Sequence, residues 1–212
     1  MEERPVYFKR ILFSFLLATV IFVSAFLIGY AVSYSRYQSF AISQDEMKYS
    51  LYSVNVEREL IGSSCSLFDL TSLSKELDQS GSIIGLLETR LGKEDEQVLK
   101  QKRIYSLLEV QHMLLVNEFK EKCKGKLDVI LFFYSNEGED FQDSEKLGYM
   151  LTYLKKNQNN LMIYSFDYNL DSPILELLKK KYSITHKNMV VINENKTLSD
   201  IQNVDEILME LE

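Results

Sequence analysis

The chain has 212 residues, of which 46% are hydrophobic, and its 24 basic and 31 acidic residues give a net charge of −7. This length allows one compact domain with accessory segments rather than two large domains. The composition argues against a nucleic-acid partner, because phosphate binding relies on clustered Lys and Arg, and here the basic residues are scattered among acidic ones.

Near the N-terminus, residues 11–32 form an apolar stretch without a single charge. As a helix rising about 1.5 Å per residue, it is long enough for the ~30 Å hydrocarbon core of a bilayer. It is longer than the apolar core of a secretory signal peptide, and no Ala-x-Ala-type cleavage site follows it. We therefore predict a transmembrane signal anchor over residues 11–34. A cleaved leader and a buried core helix are the alternatives.

The charges that flank this span predict its orientation. Arg36 is the first basic residue after the span, whereas three basic residues precede it: Arg4, Lys9 and Arg10. By the positive-inside rule, residues 1–10 form a cytoplasmic tail and the bulk of the chain lies outside the cytoplasm. The predicted location is the cell membrane, with a single pass and the lipid bilayer as a partner through the anchor.

Residues 35–125 are predicted to form a helical stalk that folds into a hairpin. Apolar residues recur at alternating three- and four-residue spacing, an a/d heptad seam interrupted only at Ser80: Leu70, Leu73, Leu77, Ile84, Leu87 and Leu91. A second helix follows Gly92, and its apolar face carries Ile104, Leu108, Leu115 and Phe119. Two helices joined so closely predict an antiparallel hairpin with its tip at Gly92. The spacing leaves open whether the seam pairs within or between chains.

His112 lies on the same apolar face. A lone histidine there indicates a hydrogen-bonded buried residue rather than a base or a metal ligand, since no cluster of Cys, Asp or Glu with metal-ligand spacing accompanies it.

The two cysteines stand at the open end of this hairpin. Cys65 opens the first helix and Cys123 closes the second, so antiparallel helices bring them together. In an oxidising compartment such a pair normally forms a structural disulfide, and closing this loop stabilises the fold by about 4 kcal/mol in the chain-entropy model. The alternative is a redox-active pair, although active dithiols usually lie two residues apart at a helix N-terminus.

The last third of the chain, residues 126–212, alternates strands and helices. Predicted strands cover residues 128–134, 160–166 and 189–192, and a short return strand follows a turn at 193–195. Predicted helices cover residues 144–158, 172–182, with Ser172 and Pro173 at the start, and 204–211. The order β-α-β-α-β-β-α predicts an α/β domain with a parallel sheet and helices on both faces.

That order resembles the thioredoxin fold. The whole chain resembles membrane-anchored thioredoxin-like proteins of the archaeal type, in which an anchor and a helical segment precede the thioredoxin-like domain. The motifs that carry the resemblance are FFYSN, LTYLKK, YSFDYNLDSPILELLKKKYSIT and MVVI, all between residues 128 and 192.

The chain departs from this family where the enzymes carry their chemistry. The enzymes place a Cys-x-x-Cys motif at the first strand–helix turn and a cis-proline opposite it. Here the dithiol positions hold Phe141, Gln142, Asp143 and Ser144, and Asn188 takes the place of the proline. A cis bond before a non-proline residue costs about 3 kcal/mol, so the usual geometry is not expected. Without a thiolate this turn has no nucleophile for thiol–disulfide exchange.

We therefore predict no catalytic residue at this turn, and neither a cofactor nor a metal. A Ser144–His186 pair is the alternative nucleophile. Acidic residues crowd the start of the following helix, as its macrodipole favours: Glu137, Glu139, Asp140, Asp143 and Glu145. Their spacing does not match a calcium loop, which leaves a weak cation site as the alternative. Asn195 opens an Asn-Lys-Thr tripeptide and is a possible N-glycosylation site.

The sequence favours a membrane-tethered, redox-inactive thioredoxin-like protein that binds or scaffolds other proteins in the cell envelope. Its partner would bind the thioredoxin-like face or the hairpin. An alternative is an envelope thiol–disulfide oxidoreductase, or its accessory, that exchanges through Cys65 and Cys123. A further alternative is a small subunit of a membrane complex.

Overall fold

The computed structural model describes residues 4–61, 65, 67–138 and 140–211. The chain divides into two compact units, Met1–Asp45 and Glu46–Glu212. The first unit consists of most of helix α1 (Arg4–Ile61), and the second holds the remaining elements.

The N-terminal part of α1 is apolar and exposed. Its segment Tyr7–Ser35 has a mean hydropathy of 2.8 and none of it is buried, so it is long and apolar enough to cross a membrane as an anchor or a signal sequence. The helix continues to Ile61, beyond the predicted membrane span of residues 11–34 and into the region predicted as a helical stalk. The continuation has a simple physical reason, because no Gly or Pro stands between residues 30 and 61 to end the helix.

Two long helices follow and pack against each other: α2 (Leu67–Leu91) and α3 (Glu96–Cys123). Gly92 takes a left-handed backbone with φ 97°, which glycine adopts without steric cost, and so ends α2. Asp95 caps α3, and its carboxylate accepts the Gln97 N–H at 2.8 Å. The expected hairpin is therefore present, with its tip at residues 92–95.

The leucine seam of α2 contributes to a core that it shares with α3. Leu73, Leu77 and Ile84 are buried in one cluster with α3, and Ser80 is buried in the gap of the seam. Leu91, at the tip, is 39% exposed. The side chain of Leu70 lies outside the described residues. The described part of the seam thus packs within the chain.

The remaining elements form the α/β part of the second unit. They are β1 (Asp128–Tyr134), α4 (Asp140–Asn157), β2 (Leu161–Asp167), α5 (Pro173–Lys181), β3 (Met189–Ile192), β4 (Lys196–Leu198) and α6 (Val204–Leu208). Strands β1 and β3 have the bounds that the sequence predicts. Helix α4 begins four residues earlier than predicted, within its acidic first turn.

Within the described residues, the strands form one four-stranded mixed sheet in the order β2-β1-β3-β4. Strands β1 and β2 are parallel, but β3 runs antiparallel to β1, so the expected parallel sheet is wrong in half of its area. Asp167 of β2 pairs with Tyr134, and Met189 of β3 pairs with Phe133, so β2 ends and β3 begins at the same edge of the sheet. The segment that holds α5 therefore returns the chain to the edge that it left, whereas a parallel connection must cross to the opposite edge.

Both faces of the sheet are covered. Val129, Leu131 and Phe133 of β1 belong to a core shared with α2, α3 and α5, whereas Ile130 and Phe132 belong to a second core with α4 and α6. This two-sided burial explains why β1 is apolar at every interior position rather than alternating.

Candidate functional site

The turn after β1 and the segment before β3 meet at two of the predicted site residues. Ser144 is buried one turn into α4; its hydroxyl donates to the side-chain oxygen of Asn188 and accepts the Ser135 N–H at 2.9 Å. The structure thus brings together Ser144, which stands where the resembled enzymes have their second cysteine, and Asn188, which stands where they have the proline. Gln142 and Asp143 are exposed beside them, and Phe141 is half-buried.

Asn188 is held by its backbone as well as by its side chain. Its N–H donates to the Phe133 carbonyl at 2.8 Å, and its side-chain amide donates to the Asp140 carbonyl at 3.2 Å. Its φ is 60°, a left-handed conformation that asparagine tolerates better than most residues. Among the described residues every peptide bond is trans, including the bond before Asn188.

The Ser144–His186 alternative receives no support from these contacts. The Ser144 hydroxyl donates to Asn188, and its oxygen is already an acceptor for Ser135. His186 is exposed, and its Nδ1 lies 3.0 Å from the Thr185 hydroxyl oxygen. A general base must lie within hydrogen-bond reach of its nucleophile, and here the serine proton is directed elsewhere.

Beside this pair lies an open groove of about 490 Å³. Its walls come from the first turns of α4, from residues 185–188 and from residues 200–202. The lining carries both signs of charge, with three aspartates and two lysines: Asp140, Asp143, Asp200, Lys146 and Lys187. Lys187 lies 3.0 Å from Asp140 and 3.4 Å from Glu137, and the hydrogen bond to Asp140 raises the pKa of its ammonium. Lys187 thus pairs with two of the acidic residues near the start of α4, Glu137 and Asp140.

The hairpin tip reaches the same turn from the other side. The Lys93 ammonium lies 3.6 Å from the centroid of the Phe141 ring, a cation–π contact, and donates to the Asn136 side-chain oxygen at 3.1 Å. Asn136 in turn donates to Asp167 at 3.2 Å. Sequence reasoning missed Lys93 and Asn136, because nothing local signals a contact between the tip and residue 141.

Behind this contact, Lys102 forms a buried ion cluster that sequence reasoning also missed. Its ammonium lies 2.7 Å from Asp167 and 2.6 Å from Glu88, and the side chains of Lys102 and Asp167 are only 4% and 7% exposed. Burial alone would lower the pKa of Lys102, but Asp167 and Glu88 together outweigh it and raise the pKa. The cluster therefore ties α2, α3 and the end of β2 together by charge.

His112 is buried, and both ring nitrogens have partners. Nδ1 lies 2.7 Å from the Tyr164 hydroxyl and Nε2 lies 3.2 Å from the Ser74 hydroxyl. The interpretation of His112 as a satisfied core histidine agrees with these contacts. Within the described ranges, no group of three or more His, Cys, Asp or Glu residues is arranged to hold a metal ion.

The two cysteines lie at disulfide distance, with their Cα atoms 5.6 Å apart. Cys123 ends α3, while Cys65 precedes α2 and is exposed. Helix α3 has 28 residues, so the bridge lies about 40 Å along the helix from the tip that touches Phe141. The cysteine pair and the groove are therefore separate places on the molecule.

Asn195 lies in the turn between β3 and β4. Asn195, Lys196 and Thr197 are all exposed, so the tripeptide is accessible to a modifying enzyme. Its glycosylation stays a prediction.

No family model, no curated protein and no solved structure matches the chain.

Proposed function

We propose that the chain is a redox-inactive, thioredoxin-like binding protein, tethered to the cell membrane by α1 with its N-terminus in the cytoplasm. Its groove beside Asn188 would hold extended, unfolded segments of exported polypeptides. The observation that carries the proposal is the Ser144–Asn188 hydrogen bond, at the place where the resemblance puts a thiolate opposite a proline.

Two further observations support the thioredoxin-like fold. The element order β-α-β-α-β-β-α is the one that the resemblance implies, and helices cover both faces of the sheet. The groove itself supports a polypeptide ligand, because it is open and carries both signs of charge rather than enclosing a small apolar molecule.

The test uses the full chain in detergent and a permanently unfolded probe, reduced and carboxymethylated lactalbumin, which has no free thiol. A photoreactive residue replaces Thr185 in the groove or, as the control, exposed Lys180 on α5. We expect at least tenfold more light-dependent adduct from position 185. Asn188→Gly, which keeps the backbone conformation but removes the side-chain bonds, should weaken that capture. Equal adducts from both positions would contradict the proposal.

A second candidate is the envelope oxidoreductase that exchanges through Cys65 and Cys123. The exposure of Cys65 favours it, because an exchanging sulfur must be reached by another thiol. It requires a substrate surface at the open end of the hairpin, about 40 Å along α3 from the tip that contacts Phe141. Membership of a larger membrane complex stays a third hypothesis, which co-purification of a stoichiometric second chain would support.

A further inference from the structure

Two clefts meet at Glu109, between the hairpin and strand β2. The first, of about 280 Å³, is lined by α2, α3 and the end of β2, and we call it the Glu109 chamber. The second, of about 420 Å³, lies on the α4 side. Tyr105, Glu109 and Ser165 line both clefts. By volume, the chamber has room for about nine water molecules, at about 30 Å³ each.

At this meeting point, only one of the two carboxyl oxygens of Glu109 has a hydrogen-bond partner. It is 2% exposed, and its Oε1 accepts the Ser165 N–H of the edge strand at 2.8 Å. Its Oε2 is buried and has no hydrogen-bond partner. Burial raises the pKa of this carboxyl well above its usual range, and it outweighs the opposing effects of the Ser165 N–H and of the Lys155 charge. An ionised carboxylate buried in this way is costly unless a cation or further donors accompany it.

The chamber already has more negative than positive groups. Glu88 and Asp167 share Lys102, so this lysine is not available to Glu109. Lys155 of α4 lines the second cleft and acts on Glu109 through its charge, but its ammonium pairs with Asp78 at 2.6 Å. Tyr105 and Tyr134 add aromatic walls, and aromatic faces attract cations. On α2, Gly85 leaves the wall open, since a Cβ added there meets nothing within 4 Å. The acidic excess, the aromatic walls and a carboxyl oxygen without a hydrogen-bond partner all favour a small cation that carries N–H donors.

We propose that the Glu109 chamber binds a small primary ammonium ligand, which pairs with the carboxylate of Glu109. This site is independent of the groove beside Asn188 and would be occupied whether or not the groove binds polypeptides. Since Glu109 must ionise to pair with the ligand, binding releases a proton, and affinity should rise with pH by up to about tenfold per unit while the free protein holds that proton.

The test titrates the full chain in detergent with n-butylammonium chloride and, as a neutral probe of the same shape, with 1-butanol. Nuclear magnetic resonance follows the backbone amide of Ser165, which donates to Glu109. We expect saturable shifts with butylammonium, none with butanol, and tighter binding at pH 8 than at pH 5. No saturable shift, equal binding of butanol, or an affinity independent of pH would overturn the proposal.

Three variants locate the site. Glu109→Gln keeps the acceptor for Ser165 and should weaken butylammonium binding at least tenfold, whereas Glu121→Gln, exposed on the same helix, should leave it unchanged. Gly85→Leu should fill the chamber and block binding without touching the carboxylate. Unchanged affinity in both Glu109→Gln and Gly85→Leu would place the ligand elsewhere and refute the assignment.

Discussion

Replacing Lys102 with methionine is expected to lower the free energy of unfolding by about 3–5 kcal/mol. The substitution keeps the length of the side chain but leaves Asp167 and Glu88 facing each other without a cation, in a place where Lys102 and Asp167 are almost fully buried. Urea unfolding of the full chain in detergent, followed by circular dichroism at pH 7, measures the change.

The matched control is Lys155→Met. Lys155 lies 2.6 Å from Asp78, but the two side chains are 39% and 57% exposed, so solvent screens this pair and its loss should cost less than about 1 kcal/mol. Adding Asp167→Asn to Lys102→Met should recover part of the lost stability, because it removes the stranded charge. Equal losses in Lys102→Met and Lys155→Met would show that the buried cluster does not stabilise the hairpin on the sheet.

Removal of the cysteine bridge is the second substitution with a large expected effect. The double variant Cys65→Ser, Cys123→Ser should lower the free energy of unfolding by about 4 kcal/mol, because the bridge closes a loop with a sequence separation of 58 residues. Guanidinium unfolding with and without reductant measures the loss. Reductant should destabilise the parent protein and have no effect on the double variant.

An unchanged unfolding midpoint in the double variant would contradict a stabilising bridge. It would mean that the packing of α2 on α3 holds the hairpin closed without help, since both helices also share the buried core around Leu73 and Met113.

The sequence was most informative where a local pattern decides the outcome. The apolar runs of β1 and β3 predict both strands at their observed bounds. The similar distances of Cys65 and Cys123 from Gly92 predict that the sulfurs meet, and the pair lies at disulfide distance. Strand direction was predicted wrongly, because alternation of strands and helices does not show at which edge of the sheet the chain enters β3, and Met189 pairs with Phe133 at the edge where β2 ends.

The buried charges of the hairpin were missed for a different reason. Lys102 and Glu109 stand in helical phase with Val98, Tyr105 and Val116, so their spacing carried a signal that two charges occupy the buried stripe of α3. Their partners lie far along the chain: Lys102 pairs with Asp167, 65 residues away. Only the tertiary packing of α3 on β2 brings such groups together.

The candidate site was found through the resemblance rather than through chemistry visible in the sequence. Nothing in the local sequence of Ser144 indicates that its hydroxyl will meet Asn188, which is 44 residues away. The groove beside them follows from the same meeting of α4 with the segment before β3, so its lining could not be read from any one stretch.

The decisive measurement is the reduction potential of the Cys65–Cys123 pair in the full chain purified from membranes. The protein is equilibrated with graded dithiothreitol buffers, its thiols are alkylated, and the reduced fraction is read by mass. A structural bridge in a redox-inactive binding protein should have a potential below about −300 mV. A potential between about −120 and −230 mV, the range of disulfide isomerases, glutaredoxins and related oxidants, would contradict this and favour an oxidoreductase.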